Sequence, residues 1–251
     1  MALPALQPAA FDVERLRAAL PAPLAARITR GRELVRGRAT APRETFPTSF
    51  IALDRLLDGG LERGALTELV GGRSSGRFSL ALATLAAATA AGEAAVLVDL
   101  GGHLDPQAAR AAGADLERLL WVRPERLRDA LVAAETVLGA GFPLVVVDLG
   151  YPPVPGGRGP DAAWLRLRRA AESQRAALLV SAPYRVSGTA AAAVVRARAR
   201  RAAWRGRGDA PRLLAATEAE LRLERSRARP DAAAAGPEAA LVLRSSGWPA
   251  A

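Results

Sequence analysis

Between Val70 and Leu80 the chain reads GGRSSGRFS, a run of glycines and serines that could hold an anion. Gly71, Gly72 and Gly76 allow backbone N–H groups to approach a phosphate closely, and Ser74 and Ser75 add hydroxyls. A helix beginning after Gly76 would add the positive end of its dipole. The spacing of Gly71 and Gly76 fits the frame G-x-x-x-x-G-K-[ST] of a phosphate-binding loop. The last two positions depart from that chemistry. Arg77 stands where a lysine would bridge phosphates, and its long planar head is not a conservative replacement at a tight phosphate site. Phe78 offers no oxygen where a magnesium-binding hydroxyl belongs, and Ser79 is one residue out of frame. Two readings follow: a tight strand-to-helix turn without a ligand, which the missing chemistry favours, or weak nucleotide binding without turnover.

The other chemically capable residues are few. Asp148 closes the apolar run LVVVD and reads as a strand-end acid rather than a metal ligand. His103 is the single histidine, in a segment with no cysteine or acid cluster at ligand spacing, and reads as a solvated loop residue. No metal site is expected. Arg196, Arg198, Arg200, Arg201, Arg205, Arg207 and Arg212 crowd residues 185–212, opposed there only by Asp209. Such a run suits nucleic-acid phosphates or an acidic protein patch, although a solvated face is the commoner fate of charge runs. Trp204 could stack a base, but one tryptophan among alanines is more often packed.

These residues must be positioned by an α/β framework. Ala65–Val70 reads as a strand entering the glycine loop, and Ser79–Ala91 as a helix leaving it. Ala94–Asp99, Arg118–Val122, Leu144–Asp148 and Ala177–Ser181 are apolar runs of strand length. Ser49–Leu57, Pro106–Ala112, the 127–138 stripe and Asp161–Arg175 read as helices between them. Strands alternating with helices predict a mainly parallel sheet covered on both faces. Residues 189–205 fit either a strand or a helix. The helix is favoured because alanine is the best helix former and the run is long. Leu213–Arg225 and Ala239–Arg244 read as strands that could pair. Short helices are expected over 11–20 and 24–35. The chain divides into an N-terminal helical arm and linker (1–45), a core (46–185) and a basic, arginine-rich C-terminal part of the same domain (186–251).

Composition narrows the function classes. The 251 residues suffice for one substantial core. With no cysteine, disulfides and thiolate metal sites are excluded. No apolar run approaches the ~18 residues of a membrane span, and the N-terminus lacks the basic and apolar regions of a secretory signal. A cytoplasmic protein without a membrane partner is expected. The net charge of +10 lies entirely in residues 151–251, where 18 arginines face 8 acids. Every basic side chain is arginine, so the residue type at position 77 carries less information than it would in a chain that also used lysine.

Three segments carry a resemblance: TSFIALDRLLDGGLERGALTELVGGRSSGR, then DLGGHLDPQAARAAGADLERLL, then VVVD. They are similar to the ATPase core of the RecA recombinase family, over residues 46–185 and more weakly to the end. The combination Leu104–Pro106, Ala109-Arg110, Gly113 and Asp115 is its most specific part. The resemblance implies a RecA-like P-loop NTPase core, with Gly71, Gly72, Ser74, Ser75, Gly76, Arg77, Phe78, Ser79 and Asp148 as a degenerate nucleotide site. It places Gly101 where such enzymes carry a water-activating glutamate, and a replacement near Ala182 where they carry a phosphate-sensing glutamine. With these parts missing no catalytic residue and no cofactor is expected, ATP with magnesium being the alternative. Within the group, a short chain with an eroded loop and an arginine-rich tail resembles the ImuA family. That family implies a part in SOS-induced translesion synthesis, with RecA, ImuB (a Y-family polymerase relative) and a replicative-type error-prone polymerase subunit as partners. The expectation is a non-enzymatic adaptor. The rivals are a weak or regulatory DNA-dependent ATPase of the RecA/RadA type, or a plain DNA-binding module. The N-terminal arm is expected to make protein contacts, as its RecA counterpart does.

Overall fold

In the computed structural model the chain forms two compact units, Met1–Pro42 and Arg43–Ala251. The structure describes residues 43–151, 154, 159–206, 212–230, 236 and 238–244, with residues 18, 21 and 22 of the first unit. The arm helices expected over 11–20 and 24–35 therefore fall almost wholly outside the described residues, and Arg207 falls outside them too.

The second unit begins with β1 (Thr45–Phe46), α1 (Ile51–Leu56) and β2 (Leu61–Glu62), β1 and β2 forming a small antiparallel pair. There follow β3 (Ala65–Val70), α2 (Arg77–Ala90), β4 (Ala95–Asp99), α3 (Pro106–Ala111), β5 (Leu119–Val122), α4 (Leu127–Gly139), β6 (Leu144–Asp148), α5 (Asp161–Gln174) and β7 (Ala177–Ala182). The long strands β8 (Ala193–Arg205) and β9 (Leu213–Ser226) and the edge strand β10 (Glu238–Arg244) complete an eight-stranded sheet. Its order is β10-β9-β8-β3-β7-β6-β4-β5. The pairs from β8 to β5 are parallel, while β8–β9 and β9–β10 are antiparallel.

Every residue of β3, β4, β6 and β7 is buried, which explains why these strands are mostly apolar, and the buried Glu68 of β3 accepts hydrogen bonds from the Val186 N–H and the Ser187 hydroxyl. Alternate side chains feed two cores. On one face Val96, Val98, Val145 and Val147 pack under α4 and α5, with Trp164 wholly enclosed. On the other, Leu69, Leu97, Val146 and Leu179 pack under α1 and α2, and Val195, Ala197, Leu221 and Leu223 extend that core beneath the C-terminal strands. Among the described residues no helix is long and apolar enough to cross a membrane.

The helix expected over residues 189–205 is corrected: residues 193–205 are β8. Tertiary demand decides it. β7 satisfies one edge of β3, and without β8 the other edge would leave backbone groups unpaired in the interior. β8 pairs it from Thr67↔Ala193 to Val70↔Arg196. Alanine's helix preference is worth at most about 0.7 kcal/mol per residue over ordinary residues, too little to outweigh a buried ladder. The period of two in VVRARAR serves this strand: Val195 and Ala197 face the α2 layer, and Arg196 and Arg198 alternate to the other side. The expected pairing of the last two strands is present, from Glu238↔Arg222 to Arg244↔Ala216.

Candidate functional site

The C-terminal ends of β3, β4, β6 and β7 converge beneath the glycine loop, residues 71–76. Gly76 adopts a left-handed conformation (φ 84°) that releases the chain into α2, and no side chain caps that helix. Its first-turn N–H groups are therefore open toward the loop. The loop itself is tight. A side chain at Gly71 would meet Ser75 Oγ at 2.4 Å and the Ala197 carbonyl at 2.7 Å. Ser75 is buried and its hydroxyl makes no hydrogen bond among the described residues. Gly72, Arg73, Ser74 and Ser79 lie at the surface, and Phe78 is half-buried.

Arg77 does not face outward from this loop. It is 3% exposed and turned under it. Its Nη1 donates to Asp148 Oδ1 at 2.7 Å and to Ser181 Oγ at 2.6 Å. Its Nε donates to the Gly71 carbonyl at 3.0 Å, and its Nη2 to the Gly150 carbonyl. The whole guanidinium fork is engaged within the protein. Asp148 is fully buried and accepts also from Ser181 Oγ at 2.7 Å. The in-register pairing of Asp148 with Ser181 on β6 and β7 sets that contact.

The expectation that His103 is a solvated loop residue without acids nearby is corrected. Its Nδ1 lies 2.8 Å from Asp148 Oδ2, and its ring packs 4.5 Å from Tyr151 and 5.4 Å from Phe78, centroid to centroid. A carboxylate can only accept, so Nδ1 carries the proton. The hydrogen bond to Asp148 raises the His103 pKa above 6.5, with burial opposing and the charges of Asp148 and Asp99 adding. Asp99, at the end of β4, accepts from the His103 and Leu104 N–H groups and from Trp121 Nε1, which pins the 100–104 turn.

Ligand atoms of Asp99, His103 and Asp148 lie within 4.8 Å of one another. The two carboxylates already accept from internal donors and His103 Nδ1 is itself one of these, and a cation among them would sit against the Arg77 guanidinium. The residues present do not fit the magnesium that accompanies ATP in RecA-like enzymes: Phe78 supplies no oxygen, and Asp148 is neutralised by Arg77. Gly101 is closed to any side chain. A Cβ there would meet Gly150 Cα at 2.6 Å, His103 Nδ1 at 2.7 Å and Asp148 Oδ2 at 2.8 Å.

The structure thus brings Gly71, Ser75, Gly76, Arg77, Phe78 and Asp148 into one site, joined by the strand-end acid Asp99 and by Ser181 and Tyr151, which sequence reasoning did not single out as site residues. Ser181 sits one residue before Ala182, where a replaced glutamine is expected, and its strand position was the available signal. The arginines form a different surface on the β8–β9 ribbon. Arg196 pairs with Glu224 and Arg200 with Glu220 across the strands. Asp209 is the one acid within residues 185–212, and the fold adds to it the glutamates that β9 lays alongside. Arg198 and Arg201 are exposed and make no ion pair among the described residues. Arg205, at the end of β8, is half-buried. Trp204 is 57% exposed, so it is not packed inside.

Residues 31–155 match the model of the RecA N-terminal domain. The chain carries a RecA-like core. It is 41% identical over 112 residues to protein RecA of Acidothermus cellulolyticus, covering 44% of this chain and 32% of that one. It is 39% identical over 114 residues to protein RecA of Synechocystis, covering 45% and 32%. Over 107 residues it is 39% identical to protein RecA of Aquifex aeolicus, covering 42% and 31%. The match thus spans about a third of the length of these curated relatives. The phosphate-type loop and the ends of β3, β4 and β6 fall inside the matched segment, and the ribbon of β8 and β9 falls outside it.

Proposed function

We propose that this chain is a non-catalytic RecA-like adaptor of the ImuA type, acting in the SOS response. It supports error-prone translesion synthesis by contacting RecA and an ImuB-type Y-family polymerase homologue, and through them a replicative-type error-prone polymerase subunit. The observation that supports a non-catalytic role is the buried pair between Arg77 and Asp148. Phosphoryl transfer relies on a cation at the phosphates and an acid on the metal, both positioned for substrate. Here those two positions hold each other. Phe78 and the closed position at Gly101 remove the metal hydroxyl and the water activator.

The test is steady-state ATP hydrolysis by the full chain with and without single-stranded DNA, paired with binding of purified RecA and of the polymerase homologue. No turnover together with saturable binding to either protein is the expected result. Magnesium-dependent turnover would overturn the proposal. The second reading, a weak or regulatory DNA-dependent ATPase, draws on the intact loop frame and the uncapped start of α2. DNA binding that needs no protein partner would favour a plain DNA-binding module.

A further inference from the structure

A cleft of about 250 Å³ separates the glycine loop from the C-terminal strands. One wall is the loop and the first turn of α2, from Gly72 to Ser79, with Tyr151 at its end. The other is Leu214 and Thr217 of β9 and Leu243 of β10. Leu243 reaches over the loop so closely that a Cβ on Gly76 would lie 2.3 Å from its Cδ1. At the rim Trp204 is the cross-strand partner of Leu214, and the two are 57% and 44% exposed. Tryptophan is among the residue types enriched at protein-interface hot spots, and Leu214 extends the apolar surface beside it.

We propose that this cleft is a docking groove for an acidic peptide segment with an apolar anchor residue. The loop wall is electropositive without being a working phosphate site. Its polar character comes from the uncapped start of α2 and from the buried Ser75 hydroxyl, which lines the cleft and has no hydrogen-bond partner among the described residues, while Arg73, 4.9 Å over the Tyr151 ring, stands beside the cleft. Arg77 lines the cleft, but its charge is engaged by Asp148 beneath the loop. A side-chain carboxylate needs only the open N–H groups and one nearby cation. A nucleoside polyphosphate needs more charge than that, and a metal. The facing wall is aliphatic, which suits a leucine or phenylalanine of the incoming segment. A nucleic-acid strand would need cations along its backbone, and Arg196 and Arg198 of β8 lie on the other side of the sheet from this wall. The volume is below the roughly 300 Å³ at which whole small ligands are enclosed, and is right for one or two side chains. This inference rests on the non-catalytic reading and gives the adaptor a specific contact.

The experiment selects short displayed random peptides on the immobilised full chain, with counter-selection on the Leu214→Asp variant. Enrichment of Asp and Glu together with Leu or Phe is expected. A selected peptide, fluorescein-labelled and followed by anisotropy, should bind at least about tenfold more weakly to Leu214→Asp and to Trp204→Ala. Both sites are exposed, and circular dichroism checks that each variant keeps its fold. The amide version of the peptide should lose affinity as well. Selection without acidic enrichment, or equal binding to both variants, overturns the groove. Displacement of the peptide by oligothymidylate or by ATP at lower concentration assigns the cleft to nucleic acid or nucleotide and overturns it too. ATP turnover in the separate hydrolysis assay would remove the functional reading, whereas a silent enzyme with no acidic selection removes only the groove.

Discussion

Arg77 and Asp148 lie 71 positions apart in sequence and form a 2.7 Å ion pair with both side chains almost fully out of water. In a phosphate-binding loop of this frame the first would reach outward to substrate and the second would hold its metal. Their mutual engagement joins the α2 start to β6, and through Ser181 to β7. The pair and the Ser181 hydroxyl thus fasten the helix start to two neighbouring strands of the sheet.

Hydrolysis of ATP is expected to be absent, and simple reversion should not restore it. Arg77→Lys with Phe78→Thr frees Asp148 and supplies a hydroxyl, yet leaves no water activator. Adding Gly101→Glu drives a side chain against Gly150 and Asp148 at under 3 Å. A coupled-enzyme assay on the parent, double and triple variants should read background throughout. Turnover that disappears with Asp148→Ala would sink the adaptor reading.

The buried pair should be visible in stability. Arg77→Ala leaves a buried carboxylate with only Ser181 and His103, and removing one partner of such a pair costs about 3–5 kcal/mol. Arg77→Met combined with Asp148→Asn removes both charges and should recover part of that loss. Urea unfolding of Arg77→Met, Asp148→Asn and the double variant gives the coupling. Strictly additive losses would mean that the two side chains do not depend on one another.

His103 should titrate above 6.5, and its ring proton signals are unambiguous because the chain has a single histidine. With the folded-state pKa raised, its stabilising contribution is fully present below the unfolded value. It is lost as pH rises through the folded value. The stability difference between the parent and His103→Gln should therefore be greatest below about pH 6.5 and shrink as pH rises through the raised folded-state value. A difference that grows with pH, or a titration below 6.5, would contradict the Asp148 contact.

The ribbon arginines should differ in what they give to an anionic partner. Arg196 and Arg200 are held by Glu224 and Glu220, while Arg198 and Arg201 make no ion pair among the described residues. Glu220→Gln frees Arg200, and should strengthen binding to oligothymidylate and steepen its salt dependence by about 0.7 log units per added phosphate contact. Arg198→Ala should weaken binding more than Arg196→Ala. Equal effects would show that the cross-strand pairs open freely in solution.

The alternating apolar strands, the glycine loop and the strand-end acids were legible in the chain because each depends on neighbours a few residues away. Period, turn chemistry and spacing are local properties, and they sufficed for a mainly parallel RecA-like sheet. The missing hydroxyl at Phe78 and the missing glutamate at Gly101 were equally plain, since an absent functional group needs no coordinates. What the three-dimensional arrangement decided was everything that crosses strands. Residues 193–205 have the composition of a helix, and they became β8 because β3 would otherwise keep an unpaired edge. Arg77 looked like a displaced phosphate ligand until β6 and β7 placed Asp148 and Ser181 beneath it. His103 had no acids at ligand spacing, yet parallel pairing of β4 with β6 put Asp99 opposite Asp148 and folded the turn onto both. The β9 glutamates met the β8 arginines only through antiparallel register, which no run of local spacing encodes.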